Sequence, residues 1–264
     1  MTLEALGGGR LVCPTALLFD ADGQLLVAQG SASRPPSQWK HDVMSRGDSG
    51  SVWRVDLSSG RAECLASRLS WPYGLAPAGD GAVAVSESWR HRVVLIRAGG
   101  GAIEPVLADL PGYPARLVAA SAGGYWLSVF APRNQLIEFV QREPEFLARM
   151  MADVDPDYWA APSLRPSTTF LEPLQGGAQK HLGMVKPWAP TRSYGLVVRL
   201  DRNFRPTNSF HSRADGCRHG VTSCVEHGDR LLVAAKGGDA IVALATTPAA
   251  TPAAAMEASD AAAH

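Results

Sequence analysis

Glu87 and His91 stand four positions apart on one short turn, a carboxylate and an imidazole placed to act as a general base and its orienting partner. The rival reading pairs Glu87 with Arg90 or Arg92 at the surface. His219 is a third candidate for proton transfer, although a turn histidine serves structure as readily as chemistry. Tyr73, Arg116, Thr222, Lys236 and Asp239 add a phenol, two cations, a hydroxyl and a carboxylate able to bind a substrate. Ser86 and Ser88 lack the Gly-x-Ser-x-Gly elbow that would make either a nucleophile.

These residues become a set only through the repeat that carries them. Four stretches share one pattern, a turn residue, an apolar run, a glycine break and a second apolar run: Pro14 to Gln29, Pro72 to Glu87, Pro114 to Val129 and Gly220 to Ala235. A Gly follows nine positions after each proline, at Gly23, Gly81 and Gly123. Such a hairpin cannot bury its own apolar faces and must stack on copies of itself. Two further strand-like runs follow each of the first three copies, so the unit is four antiparallel strands. The fourth unit holds three, ending at Ala245, and its missing outer strand is either supplied by the N-terminus or absent. The fold class is all-β, a β-propeller of about four blades.

In a propeller the start of each innermost strand and the turn after the second strand reach the same rim. Cys13 to Ala16, Trp71 to Gly74, Tyr113 to Arg116 and His219 to Thr222 then face the 29–50 loop, Glu87 to His91, the 131–192 insertion and Lys236 to Asp239. The insertion opens with a helix over Glu143 to Val154, whose apolar face is Phe146, Leu147, Met150, Met151 and Val154. It is either packing over a sheet rim or a lid over a pocket. Residues 1–245 form the blades, and 246–264, rich in Ala, Thr and Pro, read as a disordered tail.

Composition narrows the partners. Lys plus Arg and Asp plus Glu number 25 each, so no surface tracks phosphates and no nucleic-acid partner is expected. Membrane spans and a secretory signal are not apparent, which makes a cytoplasmic location the default. Cys13, Cys64, Cys217 and Cys224 show no metal-ligand spacing and read as thiols in a reducing compartment. Open blade edges would favour self-association.

Several segments resemble the strictosidine synthase-like family, within the six-bladed propellers that include gluconolactonases and calcium-dependent phosphotriesterases. They are Ser51 to Asp56, Leu69 to Ala76, Ala108 to Leu117, Gly124 to Ser128, Tyr194 to Asp201 and Val221 to Ala235. The Leu-Pro-Gly-Tyr-Pro turn at Leu110 to Pro114 and the Glu226-His227 turn are the most specific. Only the later part of the family pattern is matched, which implies a six-bladed fold of which four blades are present. Metal-dependent members hold calcium in the channel, but their Asn position is Tyr73 here, their Asp position is Ala115, and an Asn-Asp pair falls on Thr15 and Ala16. No metal or other cofactor is expected. Arg116 could hold an anion where the cation would sit, or form a salt bridge to Glu87 or Asp239. True strictosidine synthases use a glutamate at the position of Thr222, and a threonine cannot replace that carboxylate.

Three readings follow. The chain is a hydrolase or lactonase with a divergent channel site, a non-catalytic propeller that binds a small ligand or a protein, or a truncated inactive member of the family.

Overall fold

A computed structural model of the chain describes residues 5–97, 99–168, 172, 180–181, 184–185 and 191–246. Its strands form four radial blades, each ordered from the innermost strand outward. Blade I is Pro14–Phe19, Leu25–Gln29, Gly50–Val55 and Ala62–Leu69. Blade II is Pro72–Ala78, Ala82–Glu87, Arg92–Ile96 and Ile103–Leu107. Blade III is Gly112–Ala119, Tyr125–Pro132, Leu196–Leu200 and Pro206–His211. Blade IV is Val221–His227, Arg230–Ala235 and Ala240–Ala245, with no fourth strand among the described residues.

Proline cannot donate to a strand ladder, so it is tolerated at a strand's first residue or at a bulge. Pro14 and Pro72 are first residues, and Pro114 flanks a bulge. The bulge recurs in all four inner strands, between Pro14 and Ala16, Pro72 and Gly74, Pro114 and Leu117, and Val221 and Ser223. A bulge leaves ladder groups unpaired, and buried carbonyls need other donors. Hydroxyls of the preceding strands or blade supply them. Thr15 Oγ1 donates to Pro72 O, Ser86 Oγ to Ala115 O and Ser88 Oγ to Pro114 O, each at 2.5 Å.

Apolar clusters join the blades in sequence. Leu26, Val52, Val85 and Ile96 bind blade I to II; Ala84, Val93, Leu117 and Leu127 bind II to III; Trp126, Val197, Val221 and Val233 bind III to IV. The outward faces at the two ends of the row are not buried on each other. Leu17 and Phe19 of blade I are 64% and 62% exposed, Val225 and Ile241 of blade IV 55% and 77%. The described N-terminal residues do not add a strand to blade IV. They make a hairpin, Ala5–Leu6 with Gly9–Arg10, whose Leu6 packs on Val27 and Val55 of blade I.

The 29–50 stretch is less polar inside than its composition suggests. It carries a short helix α1, Trp39–Met44, with Asp42, Val43 and Met44 buried. The insertion contributes α2, Gln135–Val140, and α3, Pro144–Asp153. The helix falls where its periodicity placed it, but its apolar face is only partly used. Met150 is buried and Leu147 and Met151 are half-buried, whereas Phe146 and Val154 are exposed. The tail expected at 246–264 lies, beyond residue 246, outside the described residues.

Among the described residues no helix is long and apolar enough to cross a membrane.

Candidate functional site

Two caps close over the mouth where the four bulges meet. Val43 and Met44 of α1 share one core cluster with Ile137, Val140, Met150 and Trp159 of the insertion, and with Tyr113, Ala115 and Phe130 of blade III. Polar ties fix them: Gln141 Nε2 donates to Val43 O at 2.8 Å, and Lys40 Nζ to Pro156 O at 2.8 Å and Asp157 Oδ1 at 3.1 Å. On the blade IV side the insertion lies directly on Gly237, where a Cβ would collide with the Leu164 carbonyl. Buried Arg192 and Glu172 pair near the insertion's return to blade III.

Beneath the caps is a cavity of about 200 Å³ lined by Pro14, Thr15, Pro36, Trp39, Trp71, Tyr73, Trp89, Arg116, Phe130, Leu164 and Lys236. Every blade contributes. Its walls are aromatic: Trp71 stacks on Trp89 at 5.0 Å, Trp39 meets Phe130 edge-on at 5.9 Å, and Tyr73 meets Phe130 edge-on at 6.1 Å. Trp71 reaches its place with φ of 57°, a costly backbone for a bulky residue. Trp89 is held by its Nε1 donating to Asp42 Oδ1 at 2.8 Å.

The polar groups of the cavity are cationic or neutral. Arg116 lies within the blade III bulge and donates from Nη2 to Thr15 O at 3.2 Å. Lys236 stands on the 3-10 turn Lys236–Gly238. Neither has a carboxylate partner among the described residues, so the expected bridges from Arg116 to Glu87 or Asp239 are not formed. Burial pushes the Tyr73 phenol up, with the Arg116 charge opposing, so it stays protonated at neutral pH. Its hydroxyl makes no hydrogen bond among the described residues.

The structure therefore brings Tyr73, Arg116 and Lys236 together and leaves the other expected site residues apart. Thr222 occupies the blade IV bulge, half-buried and outside the cavity lining. Asp239 and His91 occupy one equivalent turn position, each with a left-handed backbone (φ 47° and 48°) just before its blade's third strand. His91 Nδ1 donates to Gly112 O at 3.0 Å and its ring meets Tyr113 edge-on at 4.4 Å. Glu87 is fully buried, with Oε1 accepting from Ser70 N at 2.7 Å and Arg90 Nη1 at 2.8 Å, and Oε2 from Arg92 Nε at 2.5 Å. Its oxygens are committed to the turn. His219 is equally buried: Nε2 donates to Arg213 O and Nδ1 accepts from Ser193 Oγ, both at 2.8 Å. Burial lowers the pKa of both histidines.

Trp39 and Leu164 went unread because one opens a helix too short to show periodicity and the other lies in an irregular segment. Trp71 and Trp89 fall within the rim positions that propeller geometry selects, and their ring type was the available signal.

No protein-family model matches the chain. A gluconolactonase from Xanthomonas campestris superposes over 89% of this chain and 58% of its own, with a TM-score of 0.51 at 14% identity. The chain shares the β-propeller fold of that structure. The family resemblance read from its turns holds at the level of that fold. A calcium-binding regucalcin from Agrobacterium tumefaciens aligns over 83% of this chain and 52% of its own, with a TM-score of 0.46 at 13% identity. Among curated proteins, the adipocyte plasma membrane-associated protein of Danio rerio is 25% identical over 152 residues, 54% of this chain. That match spans 37% of the relative's length.

A divalent ion in the cavity would have to be held by the groups that line it. A hard cation needs several oxygen donors converging at about 2.3 to 2.6 Å. The cavity offers the hydroxyls of Thr15 and Tyr73 beside two positive charges, and Thr15 already donates to Pro72 O. No group of three His, Cys, Asp or Glu side chains converges among the described residues. This donor set does not fit a divalent cation.

Proposed function

We propose that this propeller binds a small organic molecule in its capped central cavity and does so without catalysing a reaction there. One observation carries the reading: eleven residues from all four blades and both caps line a single aromatic-walled cavity, and none of them is a carboxylate, imidazole or thiol. Aromatic walls supply the apolar contact that ligand sites use, with a few polar groups to orient the guest. Hydrolysis of a lactone or ester needs a base or metal to activate water. Glu87, His91 and His219 would be the bases, but Glu87 is saturated by two arginines and His219 is held on both nitrogens.

The test is calorimetric titration and thermal shift of the purified protein with a panel of small organic acids, alcohols and lactones. A saturable ligand should raise the melting temperature, since only the folded state binds it. Substituting Trp71→Ala should abolish the shift. Lactone turnover that is lost in Trp71→Ala would place catalysis in the cavity and overturn the reading, as would the absence of saturable binding by any compound of the panel.

A further inference from the structure

We infer that the cavity selects a planar, aromatic-bodied organic anion, its negative group held between Arg116 and Lys236. This rests on the cavity being the ligand site and adds the class of ligand. Two cations line a space of about 200 Å³ with no counter-charge. A carboxylate tied to the walls, Asp42, is buried and already accepts from Trp89 Nε1. Arg116 uses one donor on Thr15 O, which fixes the orientation of the guanidinium and leaves its other N–H groups free. A guanidinium presents paired donors that match the two oxygens of a carboxylate, and an ammonium adds a point charge. The protonated Tyr73 hydroxyl can donate a further hydrogen bond.

The rest of the lining speaks to the body of the guest. Trp39, Trp71, Tyr73, Trp89 and Phe130 present ring faces and edges within one cavity. Aromatic boxes also suit quaternary ammonium ions, but such a guest would meet Arg116 and Lys236 with no acid to offset them. A sugar would leave its hydroxyls facing indole carbon. A flat ring bearing one acid group satisfies both halves of the cavity, and the volume admits one or two fused rings.

The experiment is tryptophan-fluorescence titration with four probes, namely benzoate, benzamide, cyclohexanecarboxylate and indole-3-acetate. It is run on the unmodified protein, Arg116→Gln, Arg116→Lys and Lys236→Gln, with circular dichroism confirming that each variant is folded. Benzoate or indole-3-acetate should bind, with benzamide at least about tenfold weaker, the scale of a charge-assisted contact. Arg116→Gln should weaken the anions about tenfold or more and leave benzamide unchanged, while Arg116→Lys recovers part of the loss. Equal binding of benzamide and benzoate overturns the anion assignment and leaves the cavity a binding site. Equal binding of cyclohexanecarboxylate and benzoate overturns the aromatic body. If neither these probes nor any neutral compound of the wider panel binds, the binding-site reading itself fails.

Discussion

Gln29 of blade I and Glu87 of blade II perform the same backbone task. Gln29 Oε1 accepts from Val12 N at 2.9 Å, and Glu87 Oε1 from Ser70 N at 2.7 Å, in each case the amide two residues before the blade's opening proline. Both side chains lie fifteen positions after that proline and both are buried. A polar residue at this station closes the entry to the blade. That is why the carboxylate which looks most like a general base serves architecture.

Replacing Glu87 should therefore cost stability. Glu87→Ala leaves Ser70 N without its acceptor and Arg90 and Arg92 without their anion, a loss of about 3 kcal/mol. Glu87→Gln keeps the acceptor, as Gln29 does, and should lose about 1 kcal/mol. Urea unfolding measures both, and cavity binding of benzoate should change little. A Glu87→Ala protein as stable as the parent would overturn the assignment.

Stability should also fall on mild acidification. Burial depresses the folded-state pKa of His219 and His91 below the ordinary value near 6.5. The unfolded chain then takes up these protons first, so the contribution is complete above about pH 6.5 and is lost as pH falls below it, by up to about 1.4 kcal/mol per pH unit for each group. Melting temperature should drop between about pH 7 and 5. His219→Gln should start lower and decline less steeply, and an unchanged slope in that variant would exclude His219 as a source.

Thiol labelling should split the cysteines into two pairs. Cys13 and Cys224 are buried and pushed up to about 11, so almost no thiolate forms at neutral pH. Cys64 and Cys217 are exposed. Mass spectrometry after brief iodoacetamide treatment should find label on Cys64 and Cys217 in the folded protein and on all four thiols in denaturant. Early label on Cys13 would mean that the entry to blade I opens.

Gly74→Ala should disturb both fold and site. A Cβ there would stand 2.4 Å from Leu117 N and 2.8 Å from Arg116 Cα. Neighbouring inner strands must part, at about 1 to 3 kcal/mol, and Arg116 moves with them. Denaturant titration should show the loss, and benzoate should bind more weakly than to the parent protein.

The exposed end faces predict concentration-dependent association. Leu17, Phe19, Val225 and Ile241 present apolar surface that a neighbouring blade would otherwise cover. Sedimentation velocity should show species heavier than the monomer at high concentration, and Ile241→Lys should reduce them. A strict monomer at all concentrations would remove this expectation.

The blades were legible because proline, glycine and alternating apolar runs recur at one spacing, and Pro14, Pro72 and Pro114 all mark inner strands. The rim was legible for the same reason, which is how Tyr73, Arg116 and Lys236 could be named before their cavity was seen. What stayed hidden depends on contacts between distant segments. Six residues of α1 carry too little periodicity to show that Trp39 points inward. The apolar face of α3 gave no sign that Phe146 would remain exposed, because amphipathicity states a preference and the cap had room for only part of it. The role of Glu87 was available in the sequence, as the polar residue shared with Gln29, but it is recognised only by comparing blades.

The bulge written into every inner strand separates what the protein is from what it can accommodate. Thr15, Tyr73, Ala115 and Thr222 occupy one equivalent station, yet they are a hydroxyl, a phenol, a methyl and a hydroxyl. Each sits outside the regular ladder, so its identity can drift while the pairing on either side is unchanged. Two of these stations, Thr15 and Tyr73, line the cavity, and of the two Thr15 is tied to Pro72 O. Varying Tyr73, with Arg116 retained, would retune the guest while leaving the frame intact.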